Sequence, residues 1–238
     1  TPFVRISPDG LVTVLNKHLD MGQGNATGLA TLVAEELDAS PEQMRAEFAP
    51  ADVERYKNLA FGMQGTGGST AIANSFEQYR KAGATARAML VAAAAKAWGV
   101  PTGEITISGG TLSHASGKSG TFGEFAEAAA KLEAPAEVTL KSPDQWVYIG
   151  KSFPRLDVPN KTVGAPNTYG MDVQRENMLV AVLTRPLAFG AKVKSFNADA
   201  AKAVKGVVDV IEVPGHGVAV LATSTWPAIK GREALEIE

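Results

Sequence analysis

A glycine-rich segment between a predicted strand and a predicted helix constrains the fold of this chain more than any other feature. Residues 21–28 read MGQGNATG, and the apolar residues that follow, from Leu29 to Leu37, have helical spacing. The first N–H groups of a helix lack intrahelical partners and lie at the positive end of its dipole. Glycines on either side of Gln23 allow close backbone approach. The segment therefore predicts a loop for a phosphate or a pterin edge, here named the first glycine loop (residues 21–24), with a plain structural turn as the alternative.

A second glycine loop repeats this pattern further along the chain. Residues 65–70 read GTGGST and directly precede an alanine-rich run from Ala71 to Trp98, which predicts one long helix. The hydroxyl groups of Thr66 and Ser69 are typical of helix caps and anion donors. Because two such loops occur in one segment, we predict that both contribute to the same ligand site.

Composition limits the classes of function. The 238 residues are 45% hydrophobic, which is enough to bury a core, and we predict two domains. The net charge of −2 is spread without a basic block, which argues against nucleic acid as a partner. The absence of cysteine excludes thiolate nucleophiles, disulfides and iron–sulfur ligands within this chain. No apolar run reaches the roughly 18 residues that span a bilayer, so the sequence predicts a soluble chain without a transmembrane segment.

The spacing of apolar residues predicts an α/β fold in which strands and helices alternate. A hairpin over residues 3–18, the first helix and a strand over residues 44–48 form a strand–helix–strand unit. Periodicity then predicts strands over residues 104–112, 178–184, 193–196, 207–213 and 218–222, and helices over residues 122–132, 199–204 and 226–234. Prolines recur between residues 134 and 166 and predict an extended connection. We therefore expect a first domain over residues 1–140, an extended linker over residues 141–165 and a second domain over residues 166–238.

The sequence contains no clear catalytic group of its own. His18, His114 and His216 lack metal-ligand spacing, so no metal site is predicted. His114 and His216 fall in predicted solvated turns, whereas His18 is either a buried structural residue or faces the ligand. No serine-centred elbow is present. Glu35 and Glu36 lie within the first predicted helix, where at least one is expected on a solvated helix face, with a general-base role as the alternative.

Taken together, these segments resemble the molybdopterin-binding large subunit of the xanthine dehydrogenase and aldehyde oxidase superfamily. The resemblance is to the isoquinoline 1-oxidoreductase β-subunit type in particular, because the glycine loops precede the second domain. It is carried by residues 11–18, 20–24, 34–37, 65–70, 169–172, 178–179, 203–210 and 217–234. By this resemblance, residues 1–140 are part of a molybdopterin-binding domain of mixed sheet and helices, and residues 166–238 form an a/b hammerhead domain.

The resemblance implies a molybdenum–molybdopterin cofactor, in its cytosine dinucleotide form, that hydroxylates an N-heterocycle or an aldehyde with oxygen from water. It also implies a small subunit with 2Fe–2S clusters and a bacterial periplasmic location. The residues that would contact the pterin, the molybdenum ligands or the phosphate tail are Gly22, Gln23, Gly24, Gly68, Ser69 and Thr70.

Two departures from the family pattern concern catalysis. The family's catalytic glutamate lies in a Gly-Glu-Pro context, but Glu104 and Glu124 follow glycine without a proline after them, and the GGxFG loop is missing. Residues 236–238 also look like the start of a further strand. We therefore expect an N-terminal portion of a larger subunit that is inactive and free of molybdenum without the remainder of the large subunit. The alternatives are a stand-alone module for another phosphorylated ligand and an assembly scaffold.

Overall fold

A computed structural model describes residues 2–238 and divides the chain into two compact units, the first ending at Ala165 and the second spanning Pro166–Glu238. Both units combine helices with small sheets, which confirms the predicted α/β class. Within residues 2–238, no helix has the combination of length and apolar character that a membrane crossing requires.

The first unit contains two small sheets and a pair of packed helices. In chain order its elements are β1 Val4–Ile6, β2 Val12–Asn16, α1 Asn25–Leu37, β3 Met44–Phe48, α2 Val53–Tyr56, α3 Thr70–Ala73, α4 Phe76–Trp98, β4 Ile105–Ser108, β5 Thr111–His114, β6 Ser119–Thr121, α5 Phe122–Ala130 and α6 Val158–Thr162. β2 pairs antiparallel with β1 and parallel with β3, so β2, α1 and β3 form the predicted strand–helix–strand unit. β4, β5 and β6 form an antiparallel meander.

The core of the first unit centres on the contact between α1 and α4. Leu29, Val33 and Leu37 of α1 are fully buried. Gly83 of α4 lies so close to α1 that a Cβ atom there would be 2.7 Å from the carbonyl oxygen of Val33. The absence of a side chain at this position therefore sets the approach of the two helices.

Two predicted elements differ from the structure. The predicted helix from Ala71 to Trp98 is broken into α3 and α4. Ser75 at the break contacts His18, a residue distant in sequence, and helical periodicity does not show such a contact. The single strand predicted over residues 104–112 is the β4–β5 hairpin. Gly109 and Gly110 have φ angles of 53° and 79°, as the tight turns of two-residue hairpins require.

The segment that follows α5 is irregular apart from short helical turns and α6. Its half-buried Tyr148, Ile149 and Phe153 pack against the core of the first unit. The rings of Tyr148 and Phe153 lie 5.5 Å apart in an edge-to-face contact. This segment therefore contributes to the packing of the first unit.

The second unit is built on a three-stranded antiparallel sheet. Its elements are β7 Val180–Thr184, β8 Phe196–Asn197, α7 Asp199–Lys202, β9 Val207–Val213, β10 Gly217–Ala222, α8 Thr225–Glu233 and β11 Glu236–Ile237. β10 lies between β7 and β9, and β11 pairs with β8. The predicted strands and helices of this part occur at the expected places, with bounds that differ by a few residues.

Candidate functional site

The two glycine loops lie side by side in the first unit. They line one surface cavity of about 290 Å³. The lining residues are Met21, Gln23, Thr66, Gly67, Ser69, Thr70 and Ala71. The backbone N–H of Leu19, just before the first loop, donates a 2.8 Å hydrogen bond to the hydroxyl of Thr66 in the second loop. The structure thus brings together Gln23, Ser69 and Thr70, three of the six predicted binding residues, at one cavity.

A buried histidine joins the elements that carry the loops. The side chain of His18, two residues after β2, is fully buried, and its Nε2 lies 3.0 Å from Oγ of Ser75, which precedes α4. Burial lowers the pKa of His18, and the positive charge of Lys17 lowers it further. His18 is therefore a neutral structural bridge, the first of its two sequence interpretations.

The amide donors of the first glycine loop are occupied by a neighbouring side chain. The carboxylate of Asp20 accepts hydrogen bonds from the N–H groups of Gly22 at 2.8 Å, Gly24 at 3.3 Å and Ala26 at 2.9 Å. Burial acts to raise the pKa of Asp20, but these three hydrogen bonds outweigh it and lower the pKa. The prediction that these amides are exposed for an anion is therefore wrong.

Asp20 is a site residue that sequence reasoning missed. The available signal was its residue type, because a carboxylate near a helix N-terminus is stabilised there and can accept from the first helical N–H groups. The N-terminus of α1 already holds this internal carboxylate, so a second anion there would be repelled.

Gln23 lines the cavity, and its side chain folds back onto its own loop. Its Oε1 accepts from the N–H of Met21 at 2.6 Å, and its Nε2 donates to the carbonyl of Leu19 at 2.9 Å. Within residues 2–238, the N–H of Gln23 has no acceptor. Gly22 has a φ angle of 109°, which L side chains rarely adopt, and this fixes the loop's course around Gln23.

The second glycine loop keeps exposed donors. Gly68 and Ser69 have φ angles of 58° and 54°, and a positive φ angle is uncommon for a serine. In the described part of the chain, the N–H groups of these two residues have no acceptor. Thr70 holds the loop instead, because its hydroxyl donates to the carbonyl of Gly67 at 2.8 Å and accepts from Asn58 at 2.9 Å. This donor set suits the oxygen atoms of an anionic ligand.

Glu35 and Glu36 are buried, so the prediction of a solvated helix face is wrong. Glu35 accepts from the N–H groups of Val147, Tyr148 and Ile149 at 2.7–3.0 Å and from Lys141 Nζ at 3.2 Å. Burial opposes ionisation of Glu35, but these donors outweigh it and lower its pKa.

Glu36 accepts from Arg80 Nε at 2.7 Å and from the N–H of Lys141 at 3.0 Å. Periodicity could not show the burial of either glutamate, because most of the donors come from a segment more than 100 residues away in sequence.

The other two histidines lie outside the loop cavity. His114 is on β5, where its largely buried ring lies 2.8 Å from the carboxylate of Glu104, so the predicted solvated turn is wrong for this residue. His216 lies in the exposed turn between β9 and β10, as predicted. In residues 2–238, no group of three histidine, aspartate or glutamate side chains is arranged to hold a metal ion.

Comparisons with known proteins agree with the resemblance. The molybdopterin cofactor-binding domain family matches residues 2–175, a range that includes both glycine loops. The chain is 34% identical to the β-subunit of isoquinoline 1-oxidoreductase from Brevundimonas diminuta, over 98% of this chain and 34% of that protein.

Two further relatives are similar over almost the whole chain. Identity is 32% with a membrane-bound aldehyde dehydrogenase (pyrroloquinoline-quinone) of Gluconacetobacter polyoxogenes, over 100% of this chain and 31% of the relative. It is 33% with a nicotinate dehydrogenase subunit of Pseudomonas putida, over 99% of this chain and 20% of the relative. The chain thus spans about a third or less of the length of these relatives.

Proposed function

Because the chain belongs to the molybdopterin cofactor-binding domain family, we propose that its first unit forms one wall of a molybdenum–molybdopterin site in a molybdenum hydroxylase subunit. The observation that carries the proposal is the single cavity that both glycine loops line. Two loops that lie far apart along the chain meet there, and ligand sites are commonly built from such convergent polar groups.

The two loops would hold different parts of the cofactor. The exposed N–H groups of Gly68 and Ser69 suit the oxygen atoms of the phosphate tail or the pterin. The first loop suits a neutral edge of the cofactor, because Asp20 already occupies the amides of Gly22 and Gly24. It would offer the N–H of Gln23 and the backbone of the two glycines, which carry no side chains. Thr70 would act by keeping the second loop in place.

When bound, the cofactor would supply the redox chemistry that adds a water-derived oxygen to a carbon of an N-heterocycle or an aldehyde. The residues of this chain bind and orient it, and none of them is proposed as a catalytic acid or base. We further propose that the cofactor is the cytosine dinucleotide form and that residues 166–238 are an a/b hammerhead domain.

Partners complete the proposed enzyme. We propose that the chain works with the remainder of a large subunit and with a small subunit that carries 2Fe–2S clusters, and that it is inactive alone. Two relatives are themselves named as subunits, which supports this proposal. Apolar side chains close to the first loop are also exposed, with Leu19 at 61% and Met21 at 81%. Surfaces of this kind are typical of protein contacts.

A matched pair of substitutions at Gly68 tests the proposal. Aspartate and asparagine have the same size and both tolerate the left-handed backbone of this position. Gly68→Asp places a negative charge beside the exposed donors, whereas Gly68→Asn does not. After co-expression of the complete reading frame with an iron–sulfur partner, we expect molybdenum content to fall about tenfold or more in Gly68→Asp, since like charges at short range repel by a few kcal/mol. The Gly68→Asn variant should retain most of the molybdenum.

Equal molybdenum contents in the two variants would contradict a contact between this loop and an anionic group of the cofactor. Stabilisation of the chain by nucleotides in a thermal-shift screen, together with a wild-type enzyme that contains no molybdenum, would favour the stand-alone module instead.

A further inference from the structure

The segment that precedes α6 returns to the first glycine loop and brings an arginine to it. Nη1 of Arg155 lies 3.4 Å from the carbonyl oxygen of Gly22. The next residue, Leu156, donates its N–H to the hydroxyl of Thr27 on the first turn of α1 at 3.1 Å. Two consecutive residues thus attach this segment to the loop and to the helix that follows it.

A carboxylate fixes the orientation of Arg155. Its Nε and Nη2 donate to the two carboxylate oxygens of Asp157, both at 2.9 Å, and Lys161 contacts the same carboxylate at 2.6 Å. The hydrogen bonds from Arg155, with that from Lys161, hold the pKa of Asp157 well below its usual range despite partial burial. A two-point contact of this kind sets the plane of the guanidinium group as well as its position.

Arg155 and Asp20 contact different backbone groups of the same loop. Arg155 approaches the carbonyl of Gly22, whereas Asp20 accepts the N–H groups of Gly22 and Gly24. The hydrogen bonds to Asp157 raise the pKa of Arg155, and the negative charge of Asp20 makes a smaller contribution in the same direction. The loop backbone is therefore held at both a carbonyl and its amides. These backbone contacts matter here because a glycine loop loses more conformational freedom on ordering than other sequences do.

We propose that Arg155, oriented by Asp157, is a positioning residue that fixes the first glycine loop in the conformation that receives the cofactor. The role toward the cofactor rests on the proposed function, but the effect on the loop does not. Arg155 acts through Gly22 and Asp20 and needs no contact with the cofactor or the substrate.

Amide hydrogen exchange on the complete chain tests the effect on the loop. In Arg155→Gln we expect exchange at Gly22 and Gly24 to become about tenfold faster, with exchange in α4 unchanged. Asp157→Asn should give the same local pattern, because it releases the guanidinium group. Arg155→Lys, which keeps the charge without the two-point contact, should restore part of the protection.

Arg5→Gln is the matched control, since Arg5 forms an exposed ion pair with Glu47 on β3. This substitution should leave hydrogen exchange at the loop amides unchanged. Unchanged loop exchange in Arg155→Gln would overturn the inference. So would equal acceleration throughout α4, because that would show a general loss of stability.

Molybdenum content separates this inference from the proposed function. If the wild-type enzyme contains no molybdenum but the loop amides respond as expected, the proposed function fails and the effect on the loop stands. If the wild-type enzyme contains molybdenum, and Arg155→Gln changes neither the exchange nor the content, the positioning role fails alone.

Discussion

Glu35 is held as an ionised group inside the first unit, because three backbone N–H groups and Lys141 donate to it. The side chain is fully buried, so its removal leaves the three backbone N–H groups without their acceptor, although Lys141 still contacts Asp38. Glu35 joins α1 to the irregular segment after α5, as does its neighbour Glu36.

Glu35→Ala should lower the free energy of unfolding by about 3–5 kcal/mol, the usual loss when one partner of a buried ionic contact is removed. Urea unfolding measures the change. Glu77→Ala is the control, because Glu77 forms an exposed pair with Lys81 and should have little effect. A loss in Glu35→Ala no larger than in the control would contradict the structural role of Glu35.

The lowered pKa of Glu35 makes this contribution depend on pH. Below its ordinary value of 4.5, the unfolded chain binds the proton more readily than the folded chain does. The stability that Glu35 provides is therefore complete above that value and is lost as the pH falls through the lower folded pKa. Unfolding free energies at pH 6 and at lower pH should fall more steeply for the wild type than for Glu35→Gln. Equal slopes would contradict the assignment.

Lys17 predicts a further pH dependence, on the alkaline side. Burial lowers the pKa of Lys17 from 10.5 to about 8, and its Nζ donates to Gln78 at 2.6 Å. Between these two values the unfolded chain binds more protons, so stability should rise with pH from about 8 towards 10. Lys17→Met should remove this rise. The measurement is urea unfolding at pH 7.5, 8.5 and 9.5, and a rise of equal size in the variant would refute the prediction.

At the scale of elements, the contact between α1 and α4 depends on glycine at one position. Replacing a helical glycine by alanine gains about 1 kcal/mol from helix propensity. At Gly83, however, the new Cβ would lie 2.7 Å from the Val33 carbonyl, which is backbone and cannot move aside. We expect Gly83→Ala to destabilise the chain by about 1–3 kcal/mol net.

Gly28→Ala is the matched control, because Gly28 is also helical and its new Cβ would meet only the flexible end of Ile72 at 2.9 Å. Chemical unfolding should show that this variant is as stable as the wild type or more stable. A gain of stability in both variants would contradict the close approach of α1 and α4 at Gly83.

Much of the element pattern was predictable from local signals. Alternating residues around Asp9–Gly10 gave the β1–β2 hairpin, and the strand predicted over residues 44–48 has the observed bounds. The break between α3 and α4 was not predictable, because Ser75 there contacts His18, which follows β2 and is distant in sequence. Local periodicity describes one element at a time, whereas this contact joins two parts of the chain.

The candidate site was predictable to a similar degree. Glycine and hydroxyl residues identified both loops, and the structure places Gln23 and Ser69 at one cavity. The roles of Asp20 and Arg155 were missed. Asp20 required attention to the residue before the loop, and Arg155 reaches Gly22 from 133 residues away in sequence.

At the scale of the whole molecule, the proposed cofactor wall belongs to the first of two compact units. The chain spans about a third or less of the relatives that it matches. Its first unit provides two loops with complementary properties, one filled by an internal carboxylate and one with exposed donors. Such a surface can bind and orient a cofactor, while the proposed partners supply electron transfer.

A structure of the co-expressed, molybdenum-containing enzyme would show whether the two glycine loops hold one cofactor. We expect density for one molybdopterin cofactor that contacts both the backbone of Gln23 and the N–H groups of Gly68 and Ser69. Density that touches only one of the two loops, or a cofactor bound elsewhere with both loops in contact with protein alone, would contradict it.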